Sequence, residues 1–208
     1  MNQSDLFQII IDHKDKNLPF VVFNEPYSDD INAKLQIDNK LHTECDLSSE
    51  AFIFAPFDAK KFDKIYMPFD KCNSYRSVHL DIVLKSNSKN NELDNTLNKN
   101  KHTSLVEKSL IAMEEGVLKK VVLSRIELMS ISSVDLTLVF NKLLSFYNNS
   151  YVYIWFHPKV GCWVGATPEK LLTIEDNFME TVALAGTTKE GPEGSVSWSF
   201  KEIKEQQY

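Results

Sequence analysis

The chain has 208 residues, 43% of them hydrophobic and 11% aromatic, enough for one large domain or two small ones with a packed core. Its 23 Lys and Arg stand against 29 Asp and Glu, for a net charge of -6 with no basic cluster interleaved with aromatics, so a nucleic-acid partner is not expected. The N-terminal apolar run, Phe7 to Ile11 interrupted by Gln8, is too short for a signal-peptide core or a membrane span, which predicts a soluble, cytoplasmic protein with no membrane partner.

Along the chain, Ser4 to Ile11 has the pattern of a short amphipathic helix, and Phe20-Val21-Val22-Phe23 reads as a strand stopped by Asn24-Glu25-Pro26. Ala51 to Ala55 and Val78 to Leu84 read as strands, with the aromatic segment Phe57 to Phe69 between them. From Ser86 the composition turns to asparagine, lysine and serine, predicting a polar loop over 86–102 that separates an N-terminal lobe, 1–85, from a domain over 103–208. Cys45, Cys72 and Cys162 lack the paired spacing of a zinc site and read as reduced bystanders. Asn148-Asn149-Ser150 fits a glycosylation acceptor but reads as a turn.

Ser104 and Glu107 form a capping-box pattern, and Val106, Leu110, Met113 and Val117 repeat at helical spacing up to Gly116. Next comes Lys119-Lys120-Val121-Val122-Leu123-Ser124-Arg125, read as a strand with Lys120, Val122, Ser124, Ile126 and Leu128 on one face. Lys120 is then either a solvated edge charge or an amine in a poorly hydrated pocket, neutral enough to take a proton near pH 7. A second helix is expected from Asp135 to Phe146. β elements follow at Tyr151 to Phe156, Cys162 to Ala166, Leu171 to Ile174 and Glu180 to Leu184, with turns at Pro158 to Gly161 and Asp176-Asn177. Ser199 to Tyr208 reads as the first turns of a helix.

Three short motifs accompany Lys120. In Thr167-Pro168-Glu169 a carboxylate follows a strand and a proline, serving either as a helix first-turn acid or as a group aimed into a cleft. Leu184-Ala185-Gly186-Thr187 ends a strand in small residues, giving an ordinary turn or a close backbone approach to an anion. Lys201-Glu202-Ile203-Lys204-Glu205 is a charged helix face, or a source of one carboxylate oxygen for a hard cation.

In order and spacing, Lys120 to Arg125, Gly165 to Glu169, Ala183 to Thr187 and Lys201-x-x-x-Glu205 resemble the chorismate-utilising, or chorismate-binding, enzyme family. The resemblance covers roughly 103–208, with 1–85 as the family's variable lobe. It implies an α+β fold of layered antiparallel sheets with outer helices, of which this chain is the N-terminal part. The implied substrate is chorismate, with Lys120 and Glu169 catalytic, Gly186 and Thr187 contacting substrate, and Glu205 binding Mg²⁺. Relatives that add ammonia carry glutamine where Lys120 stands, and some carry a nucleophilic lysine where this chain has Ala185; both positions point to water as nucleophile. The implied product is isochorismate, for a menaquinone or catecholate siderophore pathway, or salicylate. A departure is Gln206, where the family has histidine. The resemblance further implies a monomer, and that residues up to Tyr208 alone form an incomplete site with little or no activity, leaving at most a binding module.

Overall fold

A computed structural model describes residues 1–44, 46, 48–79, 96–130 and 133–205. The chain divides into two compact units, one formed by 1–82 with 135–208 and the other by 83–134. Strands from both halves of the sequence share one sheet of the first unit.

In the first unit, α1 (Gln3–Asp15) is capped by the Asn2 side chain, which accepts from the Asp5 N–H at 2.8 Å. It runs longer than the expected Ser4 to Ile11. The strands are β1 (Phe20–Asn24), β2 (Asp30–Gln36), β3 (Ala51–Phe54), β4 (Ile65–Pro68) and β5 (Cys72–Val78). The aromatic segment 57–69 thus contributes a strand the sequence did not announce, and β5 lies upstream of the expected Val78 to Leu84, whose last residues fall outside the described ones. After α2 (Thr96–Glu114) of the second unit come α3 (Leu136–Phe146), β6 (Tyr151–His157) and β7 (Gly161–Thr167). The chain continues through β8 (Thr173–Glu175), β9 (Phe178–Glu180) and α4 (Phe200–Glu205). Asp135 caps α3, the helix expected from Asp135 to Phe146, accepting from the Leu138 N–H at 2.9 Å.

The main sheet has the order β5-β2-β1-β6-β7, all neighbours antiparallel. β1 is central and buried throughout, because Phe20 and Val22 point to one face and Val21 and Phe23 to the other. On the first face α1 and α3 cover the sheet with Leu6, Phe7, Ile10, Leu136, Phe140 and Leu144. On the second, the β3–β4 hairpin packs Phe52 and Phe54 on Trp155, the Phe54 and Trp155 rings stacking at 4.4 Å. The result is a layered α+β arrangement with antiparallel sheets, the fold class read from the sequence.

Two expectations fail in the second unit. α2 begins at Thr96, so 96–102 are helical rather than loop, and Ser104 lies inside the helix. No Gly or Pro interrupts the chain between Thr96 and Glu115, and a capping-box pattern alone does not stop a helix that can propagate backwards. The earlier part of the expected loop, 86–95, lies outside the described residues. The helix ends as read, with Gly116 at φ +73 and the Val117 N–H bonded to the Ala112 carbonyl at 2.9 Å, a Schellman turn. The expected strand from Lys119 to Leu128 is not formed. A strand exists only through a neighbour's backbone groups, and among the described residues no sheet includes this segment. Val122, Ile126 and Leu128 all stand exposed.

Two later strands are also shorter than expected. Leu171 and Leu172 precede β8, and 181–184 follow β9 without regular structure. The tight turn read at Asp176-Asn177 is present, with Asp176 at φ +51, and it restricts the hairpin to three residues on each side. α4 accounts for the helix read from Ser199, while 206–208 lie outside the described residues.

Candidate functional site

β7 delivers the segment that carries Glu169. Its interior glycine, Gly165, pairs with Tyr153 of β6, and the Tyr153 ring occupies the space a side chain at 165 would need. At the strand end the Thr167 hydroxyl accepts from the Glu169 N–H at 3.2 Å, which folds Thr167-Pro168-Glu169 into a tight bend. Beyond it, Lys170 pairs with Glu180 at 3.3 Å and the Thr181 hydroxyl donates to the Leu171 carbonyl at 2.7 Å. These contacts hold the bend against the end of β9.

Glu169 lines an open cavity of about 970 Å³, lying wholly within the first unit. Thr167, Pro168, Lys170, Val182 and Leu184 accompany it, and Glu25, Tyr27 and Tyr151 contribute from the β1–β2 turn and β6. The size falls at the upper end of the range for small-molecule sites. Burial pushes the Tyr151 phenol well above its ordinary value, and the Glu25 carboxylate adds to the effect. That phenol stays neutral, available as a hydrogen-bond donor.

The third and fourth motifs meet. Gly186 has φ +55, and a Cβ built there would stand 3.1 Å from Cβ of Glu202. Glu202 is the third residue of α4 and forms a capping box with Ser199: the Ser199 N–H donates to Glu202 Oε2 at 3.2 Å and the Glu202 N–H to the Ser199 hydroxyl at 3.3 Å. Gly186 therefore seats the start of the helix that ends in Glu205. Thr187 is exposed beside it.

Thus Glu169, Gly186, Thr187 and Glu205 belong to the first unit, while Lys120 belongs to the second, exposed in a segment without regular structure. Among the described residues no group of three or more His, Cys, Asp or Glu is gathered to hold a metal. Glu205 supplies one carboxylate of the several oxygens that an Mg²⁺ site takes. Glu25, Tyr27 and Tyr151 were missed by sequence reasoning. Their signal is local, a Pro26 turn and an ordinary strand tyrosine; only the β1–β6 pairing brings them near Glu169. Among the described residues, no helix is long and apolar enough to cross a membrane.

Comparison with known proteins bears on these positions. The chain is similar to anthranilate synthase component 1 of Saccharolobus solfataricus, 34% identical over 99 residues, which cover 47% of this chain and 23% of that protein. It therefore matches about a quarter of that relative's length. No solved structure matches it. A family model described as "Chorismate binding enzyme" matches residues 42–198, taking in Lys120, Glu169, Gly186 and Thr187 but ending before Glu205, and beginning well inside the lobe read as variable. On that match, which covers most of its length, the chain belongs to the chorismate-binding enzyme family.

Proposed function

We propose that the protein is an isochorismate synthase, converting chorismate to isochorismate. The observation that carries the reading is Lys120, standing where ammonia-adding members of the family resemble one another in having glutamine. Lys120 takes a proton from water as the oxygen attacks C2 of the ring. The ring double bonds shift, the C4–O bond breaks, and Glu169 gives its proton to the departing hydroxyl, which leaves as water. One water enters and one leaves, so the reaction is an isomerisation. General acid and base groups placed in this way contribute about 10²–10⁴-fold each.

Gly186 and Thr187 offer a backbone N–H and a hydroxyl to the substrate. Mg²⁺, with Glu205 among its ligands, would neutralise the ring carboxylate, a role that rests on the family resemblance. The setting is cytoplasmic, serving menaquinone or siderophore synthesis.

Two other products are weighed. The similarity to an anthranilate synthase component favours an amine-adding reaction on the same substrate, and water attack followed by pyruvate loss gives salicylate. Chorismate with Mg²⁺, with and without ammonia, separates them by product. Isochorismate without pyruvate supports the proposal; salicylate or anthranilate with pyruvate overturns it. A thermal shift at saturating chorismate without turnover favours a binding module without catalysis, and no turnover with no shift favours an inactive fragment.

A further inference from the structure

We propose that Tyr27 is a ligand-contacting residue of the Glu169 cavity, laying its ring against the flat unsaturated ring of a cyclic carboxylic acid. The identity of that acid as chorismate rests on the function proposed above; the contact itself does not.

The observation is a broken local rule. Glu25-Pro26-Tyr27-Ser28 is a tight turn closed by the Ser28 N–H to the Glu25 carbonyl at 3.1 Å. With Pro26 second and a positive φ third, it has the form of a type II turn, whose third position favours Gly or Asn. Tyr27 occupies it at φ +59. The other non-glycine residues with positive φ among the described ones are Asn17 and Asp176, the types that tolerate it.

The surroundings enforce this conformation. The Tyr27 N–H donates to the Asn148 carbonyl at 3.0 Å, and the Asn24 amide donates to the carbonyls of Ser28 at 2.7 Å and Asp30 at 3.0 Å. The turn is thus fastened at both ends, and its central side chain is held out rather than packed. Tyr27 is 84% exposed, so burial does not explain a tyrosine here. Tyr27 lines the cavity together with Tyr151 and Glu169. Backbone strain that neighbours maintain while the side chain remains unpacked points to a contact made with something outside the protein. An exposed aromatic ring offers such a contact to a flat unsaturated ring, leaving the polar groups of the same cavity for its substituents.

The test uses the full chain with Tyr27→Gly, Tyr27→Asn and Tyr27→Phe, measured by thermal unfolding and by calorimetric titration with chorismate and with benzoate as a stable ring acid. Gly and Asn relieve the strain and remove the ring, so they should raise Tm while weakening binding about tenfold. Phe keeps the ring and should bind within about threefold of the parent. If Gly or Asn lowers Tm, or leaves binding within about twofold of the parent, the ring is a structural feature and the inference is overturned. If the parent binds benzoate but not chorismate, and Tyr27→Gly loses that binding, Tyr27 stands and the proposed function falls. If the parent binds chorismate and Tyr27→Gly binds it equally well, Tyr27 falls alone. If the parent binds neither acid, both fall.

Discussion

The ring of Tyr153 lies over Gly165 of the neighbouring strand, so closely that a Cβ built on the glycine would stand 2.7 Å from Tyr153 Cε1. The relationship explains a glycine in the interior of β7, where it otherwise weakens a strand. It also ties the strand that delivers Glu169 to the strand next to β1. Gly165→Ala should force the ring aside and destabilise the fold by about 1–3 kcal/mol. Urea unfolding of the two proteins checks this; equal midpoints would mean that Tyr153 moves freely.

A second glycine carries a different constraint. At φ +55, with Glu202 Cβ 3.1 Å from where its own Cβ would be, Gly186 resists substitution through both backbone and space. Gly186→Ala is expected to cost about 1–2 kcal/mol from the left-handed backbone alone. It should also loosen α4, because the clash falls on the capping residue. Faster amide exchange over 200–205 is the expected readout, with the main sheet unchanged.

The end of β6 predicts a pH dependence. His157 is buried; its Nδ1 accepts from the Lys159 N–H at 3.1 Å, and its Nε2 meets the Lys40 carbonyl at 3.5 Å. Burial holds its pKa below the ordinary 6.5, the Lys40 carbonyl opposes this, and Lys159 and His42 nearby lower it further. His13, hydrogen-bonded to the Pro19 carbonyl, is lowered by burial in the same way. The unfolded chain therefore takes up protons that the folded one refuses as pH falls below 6.5. Stability should be complete above that value and decline below it. Urea midpoints from pH 8 down to 5 test the trend, and His157→Gln should flatten it.

The catalytic assignment makes its own prediction. Lys120→Ala and Glu169→Gln should each lower turnover of chorismate by about 10²–10⁴-fold while leaving Tm nearly unchanged, because both side chains are exposed in the described structure. Normal turnover by either variant would remove that residue from the mechanism.

Mg²⁺ gives a fifth handle. If Glu205 is one of its ligands, Glu205→Gln should raise the Mg²⁺ concentration needed for half-maximal turnover by about tenfold or more, and excess chelator should silence the parent. Turnover in chelator equal to that in Mg²⁺ would remove the ion from the reaction.

Local signals in the sequence were enough for several elements. The apolar repeat from Asp135 to Phe146 gave α3, Phe20 to Phe23 gave the central strand, and Pro158 to Gly161 gave the β6–β7 hairpin, because repeats, runs and turns act over a few residues. Ordered motifs likewise led to the family. The strand at Lys119 was misread because alternation describes a side-chain pattern, whereas a strand requires a partner that alternation does not supply.

What the sequence by itself determined, then, was held in short stretches: the repeat of α3, the run of the central strand, the turn between β6 and β7 and the family to which the chain belongs. What only the tertiary structure decided was company. β6, far along the chain, lies beside β1, and that pairing brings Glu25, Tyr27 and Tyr151 to the cavity of Glu169. The physical reason is that contacts between distant segments are selected by burial of whole sheet faces, Phe20 and Val22 against one layer, Val21 and Phe23 against another. No window of neighbouring residues encodes such a choice.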